Sequence, residues 1–540
     1  MRWHGAVMGI GLIATGFFPF ARTQSAVPAA KPPARSAVDK AAPGAALFEP
    51  APLRTLRLDL DRASLAALRK NEREYAPATF SDGPIVLTNV GVHLKGAAGS
   101  FRPLEDNPAL TVNFPRFVKG QRWHGLRKIH LNNSVQDPTL LCENLCGELF
   151  RRAGVPAPRV TNARVLLNGR DLGVYVLIEG FDQVFLKQYY PNADGNLYDG
   201  GFCQDINAPL AKLSGNDAKN QPELDELVAA AEEPDPVRRW SRLAERLNID
   251  RFISFCAVEV LTWDWDGYVL KPNNYKLYWD PASRRVDFFP HGMDQMFWET
   301  EATILPRWSG LVAQGVLSTP EGRRRYMARV GELLTNVFEV VTMTNRINAY
   351  AAPIRTALAA QSGRSARDFE NEVQQLNERV AARVASVTRQ LRTLPQRELN
   401  FAQGAVRIVG WAPQVEDAAA LAEETGPDDV KALGIRSSAS TTASWRVQLL
   451  LPPGRFRFEG RARGAGITAS KDEKGEGAGL RISGSEQPRT NKLGGTTGWQ
   501  TLSYEFDAPG GGEVTLICEL RARRGRVWFD LDSLRLTRLN

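Results

Sequence analysis

One part of this chain concentrates groups that can do chemistry. Thr262-Trp263-Asp264-Trp265-Asp266-Gly267-Tyr268 is followed by Asn273-Asn274-Tyr275, and then by Pro290-His291-Gly292-Met293-Asp294. Carboxylates beside Trp and Gly, at the end of an apolar helical run, are not ordinary surface filler. Two carboxylates and a carboxamide brought together across a hairpin supply hard oxygen ligands, which suit magnesium or manganese and through them a nucleotide's phosphates. A further aspartate can accept the proton of an attacking hydroxyl. Asp266 as base, with Asn274 and Asp294 as metal ligands, would fill these roles. Spacing alone leaves a second reading open, in which Asp266 caps a helix and the asparagines make a turn. Nothing in the spacing fixes the carboxyl separation that a paired-carboxylate hydrolase requires.

The elements that must position these residues can be read from periodicity. Leu56, Leu58 and Leu60 alternate with polar residues, as in a half-buried strand. Ser64 is the expected cap of a helix reaching Lys70. Ile85 to Lys95 holds two short β-runs around Asn89, ending in Lys95-Gly96-Ala97-Ala98-Gly99-Ser100. Leu110 to Phe114 and Leu126 to Leu131 are strand candidates. Asp137-Pro138 should open a helix that Gly154 closes. Val160 to Leu167 and Val174 to Glu179 should form a hairpin turning on Asn168-Gly169. Gly180 to Tyr190, Leu224 to Glu232, Val237 to Trp263 and Thr319 to Arg392 have helical character. Tyr275 to Trp279 and Val286 to Phe289 should form the hairpin that carries Asn274 and Asp294 at its ends, with Asp287-Phe288-Phe289 as plain strand.

The ordered motifs resemble the spore-coat protein H (CotH) family of atypical kinases. They run from Val92-His93-Leu94-Lys95-Gly96 with Gly99-Ser100-Phe101, through Gly125-Leu126-Arg127-Lys128 to Leu131-Asn132-Asn133 and Gln136-Asp137-Pro138. Asn168-Gly169, Leu172-Gly173, Tyr175 and Glu179 follow, then Gly195-Asn196-Leu197-Tyr198, Asp266-Gly267, Asn273-Asn274-Tyr275 and Asp294. The resemblance spans about residues 50 to 395. It implies an α+β fold: a divergent, two-lobed protein-kinase-like domain that transfers the γ-phosphoryl group of ATP to Ser or Thr of secreted proteins, with Mg2+ or Mn2+. In that layout Lys95, in the Gly96-containing loop, contacts phosphates, and Glu143 orients a lysine from the lone helix. The segment after Glu179 forms the hinge beside the adenine. Asp266 is the base, and Asn274 and Asp294 hold metal. Each assignment has a structural rival: an exposed strand-end lysine at 95, a solvated helix residue at 143, an arginine partner at 179. Two positions depart from the family pattern. Gly292 stands where many members carry the first Asp of an Asp-x-Asp pair, and Asn107 where a basic residue is common. His291 is a candidate partial substitute. The missing carboxylate keeps a second reading alive: a catalytically degenerate surface or matrix protein that only binds.

Composition bounds the rest. The chain has 540 residues, 43% hydrophobic and 24% charged, ample for packed cores. A net charge of +8 over this length is no nucleic-acid footprint. Arg2 followed by apolar Ala6 to Phe20 reads as a secretory signal, shorter than the ~20 residues of a spanning helix. The expected organisation is a signal over 1–29, an Ala/Pro-rich linker over 30–49, the kinase-like domain over 50–398 and a β-sandwich or jelly roll over 399–540. The protein is therefore expected to be exported, to lack an integral span once mature, and to act on a secreted or surface protein. Seven short strands with Gly-rich turns, 465–478 among them, make up the C-terminal module. Its Trp445, Trp499, Trp528 and Tyr504 make carbohydrate a candidate partner. The five cysteines show no zinc spacing and are expected to be mostly buried small apolar residues.

Overall fold

The computed structural model describes residues 42–49, 51–216, 220–361, 363–394, 399–401, 404–415, 419–470, 475–485, 489–508 and 511–539. The expected signal, 1–29, lies outside them. Of the expected linker, 42–49 is described, and it is anchored: Leu47 is buried in the first core and the Arg159 guanidinium lies 4.6 Å from the Phe48 ring centre.

The N-terminal strands close into a barrel. β1 (Arg54–Asp59), β2 (Ala76–Asp82), β3 (Ile85–Lys95), β4 (Ala109–Asn113), β5 (Lys128–Asn132), β6 (Val160–Leu167) and β7 (Arg170–Glu179) follow the order β1-β2-β3-β4-β5-β7-β6, and β1 pairs with β6 in parallel to seal it. Alternation works as expected in β1, where Leu56 and Leu58 point inward. Phe80, Phe114 and Trp123 meet inside, the first two edge to face at 5.2 Å. The helix after β1, Arg62–Lys70, is capped by Asp61 rather than by Ser64. The Asp61 carboxylate accepts from the Ser64 backbone N–H at 2.7 Å, and an ionised oxygen is the stronger acceptor. β3 is one strand, not two; Asn89 sits at φ 55 in a bulge where two residues of β3 face one of β2.

Between β5 and β6 runs the lone helix Cys142–Arg152. It starts later than Asp137-Pro138 suggested, because Leu140 takes φ 60 and breaks the first turn. Asp137 nevertheless caps it, accepting from the Leu141 and Cys142 N–H groups at 3.0 and 2.9 Å. Asn168 and Gly169, with φ 48 and 76, make the expected tight hairpin turn. Past β7, only Gln183–Leu186 of the expected helical stretch is helical.

A second sheet follows, in the order β11-β10-β8-β9, from β8 (Asn196–Asp199), β9 (Ala211–Ser214), β10 (Tyr275–Asp280) and β11 (Arg285–Pro290). Helices Pro222–Ala231, Pro236–Arg246 and Ile249–Thr262 pack against β11, and Leu311–Leu317, Pro320–Asn336, Val340–Gln361 and Gly363–Thr393 pack on other helices. Asp287 is strand, as expected, its carboxylate 2.7 Å from Arg251 and from the Tyr190 hydroxyl.

The C-terminal part is all β, with ten strands among the described residues rather than seven. Ala412–Val415, Ala419–Thr425 and Lys431–Ser437 are additional, and Gly454–Ala469 extends as strand into what was expected to be loop. The long strand Gly512–Asp530 pairs with four others, two along each half, around a core of its own. Trp445 belongs to that core and donates to the Gly434 carbonyl, so it is not free to stack on a sugar. Cys142, Cys146, Cys256 and Cys518 are buried and Cys203 is exposed; all five are free thiols. Among the described residues no helix is long and apolar enough to cross a membrane.

Candidate active site

β3 delivers Lys95 to the barrel's edge, in register with the small Ala109 of β4. The lysine reaches past that strand and donates to the Asn132 amide oxygen at the end of β5. The Asn132 amide nitrogen in turn donates to Glu143 Oε1 at 2.8 Å, in the first turn of the lone helix. Lysine and glutamate are therefore linked through a carboxamide rather than paired directly. Burial pushes the Lys95 amine down to about 8, with Glu143 opposing. Burial, helped by the charge of Asp294, pushes the Glu143 carboxyl up to about 8. Glu143 is 2% exposed, not a solvated helix residue, and Lys95 is half-buried at the strand end with Asn132 as its partner.

Beyond Lys95 the loop folds on itself. Gly96 and Gly99 take φ 102 and 85, and the Ala97 N–H donates to Ser100 Oγ at 3.1 Å. Asn133 ties the loop down from β5's end, donating to the Ser100 carbonyl at 3.1 Å.

The opposite wall comes from the segment after helix Ile249–Thr262. Trp263 ends the helix at φ 52. The buried Glu259 carboxylate then accepts from the Tyr268 and Val269 N–H groups at 3.2 and 2.7 Å, shaping the turn that carries Asp266. Asp266 Oδ1 lies 2.9 Å from the Lys271 amine, and Oδ2 accepts from the Asn273 and Asn274 side-chain amides at 3.0 Å each. Asn274, at φ 51, opens β10, and its carbonyl accepts from the His291 N–H at 3.0 Å. Asp294 follows β11. Burial, then the charge of Asp137, raise its carboxyl to about 6, Lys95 opposing and Asp266 adding.

Lys95, Glu143 and Asp294 thus lie within electrostatic reach of one another, and Asp294 within reach of Asp266, which holds Asn274. Gly96 lies at the rim, where its carbonyl accepts from Arg73. Glu179 does not join them. Its carboxylate is taken by Arg159 at 2.6 and 2.9 Å and by the Gln188 amide at 2.7 Å. The arginine-partner reading of Glu179 is the one this geometry supports, and no carboxylate oxygen is left for a nucleotide.

The pattern at Gly292 has a backbone cause. With φ 64, a Cβ added there would sit 2.9 Å from the Asn274 amide carbon and oxygen. The space that an Asp would need is occupied by Asn274. His291 is held well below its usual range by burial and by Lys276 and Lys95, so its imidazole is neutral at physiological pH.

Several residues of this centre escaped the sequence reading as site residues. Asn132 was visible only as part of a motif; nothing local announces that it bridges Lys95 and Glu143. Lys276, paired with Asp199 at 2.7 Å, adds positive charge to the same region. Asp264 is buried, with Oδ2 lacking a hydrogen-bond partner.

The donor chemistry can be tested against a metal. Among the described residues no three His, Cys, Asp or Glu side chains are gathered into a metal site. Asn274 spends its amide nitrogen on Asp266 and keeps its oxygen on the Gly292 side, and Asp294 offers a carboxyl group. Two hard oxygens fit magnesium, which keeps several waters and takes phosphate oxygens as further ligands.

Comparison with known proteins gives the family. The chain matches the family described as CotH kinase protein over residues 93–387. It belongs to that family. The CotH match takes in the barrel from the end of β3 onward and most of the helical part. Inner spore coat protein H of Bacillus subtilis (strain 168) is 25% identical over 263 residues, 44% of this chain and 71% of that protein. Invasin CotH3 of Rhizopus delemar is 24% identical over 255 residues, 41% of this chain and 42% of the invasin. Among solved structures, the Helicobacter pylori proinflammatory kinase CtkA covers 54% of this chain and 96% of its own at 8% identity, with TM-score 0.24. TmCBM61, solved with β-1,4-galactotriose, covers 26% of this chain and 94% of its own at 16% identity, with TM-score 0.18.

Proposed function

We propose that this CotH protein is an exported atypical kinase that transfers the γ-phosphoryl group of ATP to Ser or Thr of extracytoplasmic proteins. The observation that carries the reading is the buried Lys95–Asn132–Glu143 chain within electrostatic reach of Asp294, which is itself within reach of the Asp266–Asn274 pair. In this reading the barrel and the helical part are the two lobes of a divergent kinase-like domain. Lys95 neutralises phosphate oxygens, and Glu143 fixes its position through Asn132. Asn273 and Asn274 orient the Asp266 carboxylate, which accepts the proton of the acceptor hydroxyl while that oxygen attacks. Asn274 and Asp294 would hold magnesium, which when bound spreads the charge of the transferring group. Catalysis would be positioning and charge neutralisation, with little covalent work for the protein. Export is supported by the N-terminal signal pattern and by relatives named as a spore coat protein and an invasin. The half-buried Trp499 and Trp528 leave the C-terminal module as a candidate carbohydrate binder.

A second reading, a binding-only pseudokinase, is favoured by one observation: at Gly292, where a second carboxylate would come from, φ is 64 and Asn274 crowds the position of a Cβ. Thermal melting with millimolar ATP and Mg2+ separates nucleotide binding from its absence. The kinase reading expects a rise in melting temperature that needs both ligands. No rise would contradict it and leave the binding-only protein.

A further inference from the structure

Beside this centre lies an open cavity of about 610 Å³, lined by Gln136, Trp263, Trp265, Gln295, Trp298 and Glu299. Its lining is continuous in sequence with the site. Trp265 precedes Asp266, Gln295 follows Asp294, and Gln136 precedes Asp137. Gln136 also abuts the glycine loop: a Cβ on Gly99 would sit 3.0 Å from its amide nitrogen. The cavity therefore extends from the glycine loop to the tryptophans beside Asp266.

The two outer tryptophans are costly to display. Trp265 and Trp298 are 42% and 45% exposed, a large apolar surface to leave in water. Both are steadied by a cation, Lys271 at 5.2 Å from the Trp265 ring centre and Arg379 at 3.8 Å from that of Trp298. The remaining lining is a third tryptophan, Trp263, with two carboxamides and a carboxylate. No aliphatic side chain contributes among the lining residues; the apolar surface of the cavity is indole. A pyranose ring fits both halves of this chemistry. Its C–H face lies on an indole, and its hydroxyls donate to and accept from carboxamides and a carboxylate.

We propose that this cavity is a glycan subsite, which seats a pyranose ring of the acceptor beside Asp266. The acceptor role rests on the phosphotransferase reading; the sugar binding does not. It is distinct from any sugar site on the C-terminal module, because its platform is built by the CotH domain.

The test is calorimetric titration of the full chain, without nucleotide, with β-1,4-linked tetrasaccharides of glucose, xylose, galactose and N-acetylglucosamine. The same titrations are made with the Trp499→Ala/Trp528→Ala double variant, which removes the C-terminal rings. At least one sugar is expected to bind with one site that survives the double variant. Trp265→Ala and Trp298→Ala should each weaken that site by about tenfold or more, with melting temperatures confirming that they fold. An unglycosylated Ser/Thr-containing peptide is the competing probe. The proposal is overturned if none of the four sugars binds, if binding disappears in the double variant, or if only the peptide binds in a Trp265-dependent way. Because no nucleotide is present, a failure here leaves the phosphotransferase reading standing, and a protein that ignores ATP can still bind the sugar.

Discussion

The residues of the centre give the sharpest expectations. Gly292→Asp restores the family's common residue, yet it should not restore a metal ligand. Its Cβ meets Asn274 at 2.9 Å, and a side chain at φ 64 costs about 1–3 kcal/mol. The expected outcome is a lower melting temperature and a smaller ATP–Mg2+ shift than wild type; a larger shift would show that the pocket accommodates the second carboxylate. A separate expectation concerns pH. Burial raises the Glu259 carboxyl to about 8 from its ordinary 4.5, so the folded protein binds a proton that the unfolded chain has released. Its contribution is fully present below about pH 4.5 and is lost as pH rises towards 8. Glu259→Gln should therefore lose less stability than wild type between pH 5 and 8, measured by denaturant unfolding at each pH. Parallel profiles would contradict the assignment. Asp266, Asn274 and Asp294 were legible because carboxylates and carboxamides stood in a motif order that chemistry could interpret. Asn132 was not legible as a bridge, because its partners come from β3 and from a helix and meet only across the barrel's edge.

At the scale of elements, the lone helix sets Glu143 and is itself held from its other end. Glu148 lies 2.8 Å from Arg346 and 2.6 Å from the Tyr350 hydroxyl, both on helix Val340–Gln361. Glu148→Ala leaves a largely buried arginine and tyrosine without that carboxylate, so a loss of about 1–3 kcal/mol is expected in denaturant unfolding. It should also weaken the ATP–Mg2+ shift, because Glu143 rides on the same helix. A stability loss with the ligand shift intact would show that the helix does not position Glu143. Strands and hairpins read well where one face alternates, as in β1, or where Asn168-Gly169 fixes the turn. Helix starts read less well, since both Asp61 and Asp137 cap through carboxylates whose reach depends on the backbone between cap and helix. The strand Ala419–Thr425 was missed because its Ala and Glu residues carry little β preference and one edge of the sheet decides its pairing.

At the scale of the whole molecule, the buried residues fall into separate clusters, one of them confined to the C-terminal sheet. Calorimetric unfolding is expected to show more than one transition, with ATP and Mg2+ moving only that of the CotH part. One transition shifted as a unit would instead mean that the parts unfold together. The barrel's closure through the parallel β1–β6 pair could not be read in advance, because it joins segments that local pattern does not connect.

The central claim is that Asp266 is a catalytic base in a working phosphotransferase. Transfer of label from γ-labelled ATP to protein Ser or Thr, compared between wild type and Asp266→Ala at matched ATP–Mg2+ occupancy, tests it most directly. The account expects Mg2+-dependent labelling by wild type and loss of about 100-fold or more in the variant. Equal labelling by both proteins, or none by a wild type that binds ATP, would contradict it.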